Sequence, residues 1–149
     1  MRSLILSPVV AALLAIATPP VAPVRGTVVD GFRAPACQRC AGHRGVTIAT
    51  SAGSPVRAVT AGVIVFVGQV ANVLYVVEDI GQGARITYGR LVSSYVVLGS
   101  IVASGETLGL SDEEMYLGVR FRGKYVNPLQ FLGFGAARLV GRGSVVVAR

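Results

Sequence analysis

Between Gly26 and Leu132 the chain alternates short apolar runs, about five to eight residues long, with glycine-bearing turns, which is the pattern of strands and not of helices. The runs predict strands over Thr27–Asp30, Gly45–Ala49, Pro55–Val59, Val63–Gln69, Val73–Glu78, Arg85–Tyr88, Glu106–Gly109 and Met115–Phe121. β-branched residues fill them, as in Val63-Ile64-Val65 and in Val73, Val76 and Val77. No stretch of this region carries a sustained 3.6-residue period, so the pattern predicts an all-β fold, an antiparallel sheet sandwich.

One strand is legible face by face. Met115, Leu117, Val119 and Phe121 alternate with Glu114, Tyr116, Gly118, Arg120 and Arg122. Successive side chains of a strand point to opposite faces, so the first set is predicted to enter the core and the second to line an open surface. The segment Gly99–Gly109 reads as turn, short strand, turn and strand, a glycine-punctuated hairpin of the kind biotinyl and lipoyl carriers use. Carriers attach their cofactor to a lysine at a hairpin tip. The single lysine, Lys124, lies far from this segment and lacks methionine neighbours, which argues against a carrier.

The first residues read differently. Arg2 precedes an apolar stretch from Leu4 to Ala17 that ends in Ala15-Ile16-Ala17, the small-residue pattern of an export signal. Pro8, Pro19, Pro20 and Pro23 interrupt the uncharged run, which disfavours the alternative of an uncleaved membrane anchor. The expected organisation is a signal over 1–17, a proline-rich linker over 18–25, one domain over 26–132 and a glycine- and arginine-rich tail over 133–149 with a strand candidate at Val145–Val147. At 149 residues, 52% of them hydrophobic, the chain suffices for one domain with its own core. Fourteen basic residues oppose seven acidic ones, a net charge of +7. An exported basic protein meets anionic envelope polymers and lipid surfaces. The arginines are scattered and carry no recognition motif, so nucleic acid is not an expected partner.

Cys37-x-x-Cys40 lies three residues before His43, the only histidine. Three readings stand: a local disulfide, a metal site using Cys37, Cys40 and His43, or a redox dithiol. Export favours the disulfide. The metal reading lacks a fourth ligand, and the redox reading lacks the helix N-terminus that activates such thiols.

Several segments, taken in order, resemble the LytM (lysostaphin-type) zinc endopeptidase domain that cuts peptide crosslinks of bacterial peptidoglycan, with its duplicated hybrid motif fold. They are Gly42-His43-Arg44-Gly45-Val46-Thr47-Ile48, Gly53-Ser54-Pro55-Val56-Arg57-Ala58-Val59-Thr60-Ala61-Gly62-Val63-Ile64, Ile86-Thr87-Tyr88-Gly89-Arg90-Leu91, Tyr116-Leu117-Gly118-Val119-Arg120 and Tyr125-Val126-Asn127-Pro128-Leu129. The resemblance covers residues 26–132. It implies a zinc held by the histidine and aspartate of G-H-x-G-x-D and by the second histidine of H-x-H. It also implies two catalytic histidines, the first of H-x-H and the last of Y-x-H.

Of those positions this chain keeps only His43. Thr47 stands for the aspartate, Tyr116 for the third ligand, and Glu114 and Arg90 for the catalytic histidines. Catalytic zinc takes three protein ligands and a water whose pKa it lowers. One imidazole with two neutral hydroxyls cannot supply that site, and Arg90 adds a permanent cation beside it. The expectation is therefore no bound zinc and no inherited hydrolysis, with Arg90 and Glu114 forming an ion pair where the metal chemistry stood and Tyr116 beside them. His43, Arg90, Glu114, Tyr116 and Arg120 are expected to line a peptide-binding groove. The resemblance implies an exported, envelope or extracellular pseudo-peptidase whose partner is peptidoglycan or a cell-wall hydrolase. The alternative is a zinc endopeptidase with unorthodox ligands.

Overall fold

The structure is a computed structural model that describes residues 18–134, together with the backbone of 137–140 and 144–147; the expected signal over 1–17 lies outside the described residues. The strands are β1 (Thr27–Asp30), β2 (Gly45–Ala49), β3 (Pro55–Arg57), β4 (Gly62–Val70), β5 (Val73–Gly81), β6 (Ala84–Ser94), β7 (Ile101–Val102), β8 (Thr107–Phe121) and β9 (Lys124–Val126). A single helical turn, α1 (Pro128–Phe131), and a separate hairpin of β10 (Ala137–Val140) and β11 (Ser144–Val147) follow. The fold is mostly antiparallel β-sheet, as the apolar pattern predicts.

β1 to β9 form one hydrogen-bonded sheet in the order β1-β2-β8-β6-β5-β4-β7, with β3 and β9 pairing to the two ends of β8. The two strands predicted over Glu106–Gly109 and Met115–Phe121 are one strand of fifteen residues, β8. It is the spine of the molecule, lying against β6 on one side and against β3, β2 and β9 in turn on the other. Its core face is the predicted one for Met115, Leu117 and Val119, which are buried. Phe121 departs from the expectation: it is only half-buried and packs beside Phe131, 5.3 Å between ring centroids.

Three other expectations change. The segment Gly99–Gly109 is not a hairpin, because β7 pairs with β4 (Gly62 with Val102, Val63 with Ile101) while β8 pairs elsewhere. Backbone bonds from Gly99 to Ile64 and from Ile64 to Ser100 hold that connection on the β4 edge. The segment read as a linker is docked over Val21–Val24: Ala22 and Val24 are buried, Val21 N–H donates to Val59 O, and Arg57 N–H donates to Pro23 O. Ala22, Pro23 and Val24 are buried in succession, so the composition that read as a spacer serves as packing. Finally, Asn127 caps α1, its side chain accepting from Leu129 N–H at 3.0 Å, with Pro128 at the first helical position. Four residues are too few to leave a periodic signature.

Inside the core, Tyr88 donates to Glu78 Oε2 at 2.8 Å and accepts from Val59 N–H at 2.9 Å. Glu78 is fully buried, and its Oε1 has no partner among the described residues.

Candidate functional site

The site face is built from alternate residues of β2, β8, β6 and β5. In register across the sheet stand Thr47, Tyr116, Gly89 and Tyr75, and next to them Gly45, Gly118, Thr87 and Val77. Farther along come Tyr125, Arg120, Arg85 and Asp79. Each strand gives its other side chains to the core, so this surface follows from the period of two.

The glycines let aromatic rings lie flat on the sheet. A Cβ on Gly45 would stand 2.6 Å from the Tyr116 ring, and one on Gly118 would stand 2.7 Å from the Tyr116 hydroxyl. Tyr75 covers Gly89 in the same way, at 2.6 Å. Burial, with the neighbouring Tyr125 and Tyr75, pushes the Tyr116 phenol up to about 12.

His43 sits just before β2, held by a bridge between Arg33 and His43. Its Nδ1 lies 2.8 Å from Gly31 O, a contact that requires the proton on Nδ1. Nε2 is then the acceptor and faces Thr47 Oγ1 at 3.3 Å. The His43 and Tyr116 rings meet edge to face at 6.1 Å. Asp30 Oδ2 stands 3.6 Å from His43 Nδ1 and is itself paired with Arg33, which holds its carboxyl below the usual range. Asp30 was not legible as a site residue, since it lies thirteen positions before His43 and only the β1–β2 pairing brings it there.

Arg90 reaches the face by an irregularity. The β5–β6 register shifts between Gly89 and Leu91, which pair with the consecutive Tyr75 and Leu74, and Arg90 has φ 59°, so it is the extra residue of a bulge against β5. In the β6–β8 pairing the extra residues, between Ser111 and Tyr116, lie on β8. Without the bulge the alternation after Tyr88 and Gly89 would send Arg90 into the core; with it, Leu91 takes the buried position. The Arg90 guanidinium donates to the Glu114 carboxylate, and both side chains are about half exposed, 46% and 48%. The five residues expected in the groove thus share one face. Arg120 lies at its far end, stacked on Tyr125 with 5.5 Å from guanidinium to ring centroid. Arg44, half-buried, stands over the same ring at 5.6 Å. Cys37 and Cys40 are joined by a disulfide with Cα atoms 4.9 Å apart, closing the loop before His43.

The donors at His43 do not fit a catalytic zinc. Nε2 is engaged by the Thr47 hydroxyl, the Tyr116 hydroxyl is turned along the sheet over Gly118, and its raised pKa keeps it a phenol. Among the described residues no three His, Cys, Asp or Glu side chains converge on one point. Zinc ligands must be neutral imidazole, thiolate or carboxylate, and of His43, Thr47 and Tyr116 only the imidazole qualifies.

A profile of peptidase family M23 matches residues 41–128. The chain belongs to peptidase family M23. Its M23 domain superposes on Helicobacter pylori Csd3 with a TM-score of 0.68 and 19% identity, covering 89% of this chain and 36% of that one. A zinc-containing peptidase from Vibrio cholerae gives 0.60 and 24% identity over 73% of this chain and 37% of that one. A chain of the SpoIIIAH–SpoIIQ complex gives 0.65 and 18% identity over 77% of this chain and 99% of that one. The M23 domain described here spans little more than a third of the first two proteins. No curated protein sequence is significantly similar to the chain. At these identities the superpositions speak for the fold, and the site must be read from its own residues.

Proposed function

We propose that this M23 domain is exported and non-catalytic, and that its groove holds a peptide strand of peptidoglycan. The observation that carries the reading is the filling of the inherited chemical centre. The Arg90–Glu114 pair and the Tyr116 ring stand at three of the five functional positions of the zinc enzymes, and the Thr47 hydroxyl engages the one remaining imidazole. What is left is a strand-length face with an aromatic floor, suited to binding an extended chain and unable to activate water. The same surface supports a second reading, docking on a cell-wall hydrolase. The SpoIIIAH–SpoIIQ complex, a protein–protein assembly containing a similar chain, favours it. Among the described residues no helix is long and apolar enough to cross a membrane.

The test is retention of the purified protein on isolated sacculi, with zinc measured on the same sample. The expected result is retention, zinc far below one ion per chain, and no crosslink cleavage. Stoichiometric zinc with chelator-sensitive cleavage would establish the zinc endopeptidase instead. Failure to bind sacculi, with capture of a wall hydrolase, would establish the second reading.

A further inference from the structure

The end of the groove remote from Arg90 carries cations without carboxylate partners. Arg85 and Arg120 stand directly opposite each other on β6 and β8, an arrangement of like charges that costs stability. Asp79 relieves Arg85 at 3.4 Å. Neither Arg120 nor Arg44 has a carboxylate within ion-pair distance among the described residues. Both guanidiniums instead lie over the Tyr125 ring, Arg120 at 5.5 Å and Arg44 at 5.6 Å from its centroid. Arg44 is oriented from behind: one of its terminal nitrogens donates to Gln38 O at 2.9 Å and Cys40 O at 3.1 Å, carbonyls of the disulfide-closed loop. Its remaining N–H groups are left for a ligand.

Two clefts meet at this ring. One, of about 390 Å³, runs past Phe66, Thr87 and Tyr116; the other, of about 350 Å³, runs past Pro35 and Lys124; both are bounded by Arg120 and Tyr125. Charge is distributed unevenly along the groove. At the far end Arg90 is neutralised by Glu114, and between the ends the face is Tyr116, Gly118 and Thr87. A polyanion would call for cations repeated along its path; this groove offers them at one end only. Tyr116 and Arg120, four residues apart on one strand, are separated by roughly 13 Å, the reach of about four extended residues.

We infer that Arg44 and Arg120, both held against Tyr125 and lining one cleft, form a carboxylate-binding site that fixes one end of a peptide lying along β8. The inference rests on the reading that the groove holds a peptide, and it adds which group of that peptide is recognised and in which direction it lies. A guanidinium fork matches a carboxylate with two parallel hydrogen bonds, and a second guanidinium beside it adds charge and further donors. A terminal and a side-chain carboxylate present the same chemistry.

The experiment titrates the full chain, followed by NMR, with N-acetylated penta-alanine as the free acid, with its C-terminal amide, and with an amidated peptide of four alanines and a final glutamate. At least one carboxylate-bearing probe is expected to bind tenfold or more tighter than the amide, and which one does so identifies the carboxylate's source. Arg44→Gln combined with Arg120→Gln is expected to bind acid and amide alike. Arg120→Gln alone, at an exposed position, is expected to lose most of the preference, which guards against misfolding of the double variant. Equal binding of acid and amide by the unsubstituted protein overturns the inference, as does a preference that survives both substitutions or tighter binding of polyphosphate than of either acid. Sacculus retention with indifferent peptides would overturn this inference alone. An Arg-dependent carboxylate preference without sacculus retention would overturn the wall-binding reading alone.

Discussion

Arg90 and Glu114 form an ion pair between β6 and β8 with Arg90 standing as a bulge residue against β5, in the left-handed region at φ 59°. Two separable costs and gains follow. The pair is about half exposed on both sides, so its net contribution is below about 1 kcal/mol. The backbone conformation is the stricter demand, since a β-branched residue there is strained by roughly 1–3 kcal/mol while glycine is not. Arg90→Gly and Arg90→Val both remove the ion pair. In urea unfolding, Arg90→Gly is expected within about 1 kcal/mol of the unsubstituted protein, and Arg90→Val lower by a further 1–3 kcal/mol, on the order of the left-handed strain. Equal losses from the two would place the importance in the charge pair.

On the proposed reading, the changes at the zinc positions are local enough to be reversed on paper. Thr47 and Tyr116 are cross-strand partners, and Thr47 Oγ1 already lies 3.3 Å from His43 Nε2. Thr47→Asp with Tyr116→His therefore places a carboxylate and a second imidazole beside the first, the three protein ligands a catalytic zinc needs. The double variant is expected to carry roughly one zinc through gel filtration, by elemental analysis, where the unsubstituted chain carries almost none. Adding Arg90→Gln is expected to tighten retention by removing a fixed cation from the neighbourhood. A double variant that stays free of metal would mean that the backbone around His43, as well as its ligands, has drifted from the zinc geometry.

The strands and the groove face were readable in the sequence because both depend on a period of two. β1 and β2 match their predicted limits, and the predicted core residues Met115, Leu117 and Val119 of β8 are buried, Phe121 excepted. Misread elements depend on non-local facts. Nothing local shows that Ile101–Val102 prefers the β4 edge to its neighbour at Thr107, or that Ala22 and Val24 find a cavity to fill. Within the site, His43, Thr47, Tyr116, Glu114 and Arg90 came from matched segments, whereas Asp30, Tyr75 and Arg44 come together only through strand pairing. Tyr125 had a signal that went unused: Arg122 and Gly123, with φ 49° and 82°, form a two-residue hairpin turn, and that turn returns Tyr125 to a position opposite Arg120.

The Cys37–Cys40 loop has a positional duty distinct from its contribution to stability. A ring this small restricts the unfolded chain by about 2 kcal/mol at most, but its carbonyls hold Arg44 over Tyr125. Cys37→Ser with Cys40→Ser is expected to leave a folded domain destabilised by about 2 kcal/mol. The same variant, and the reduced unsubstituted protein, are expected to show a mobile Arg44 side chain in NMR relaxation. If Arg44 stays ordered in both, the loop is held by its own packing and the disulfide is incidental to the arginine.

Glu78 makes the sharpest prediction about pH. Burial raises its carboxyl from the ordinary 4.5 to about 7, partly offset by the hydrogen bond from Tyr88, and the carboxyl has no cation beside it in the core. Between those two values the unfolded chain has released the proton while the folded chain keeps it, so the native state binds more protons and stability falls as pH rises. The favourable term is complete below about pH 4.5, declines through the window and is gone above about pH 7. A difference of that size corresponds to roughly 3 kcal/mol. Urea unfolding at pH 5 and pH 8 should therefore show the protein weaker at pH 8 by a loss on that order. Glu78→Gln keeps an oxygen for the Tyr88 hydroxyl and cannot ionise, so its stability should change far less over the same interval. The variant should match or exceed the unsubstituted protein at pH 8 and fall at or below it at pH 5. A slope that survives the substitution would assign the pH dependence to another group and leave Glu78 ionised in its buried position.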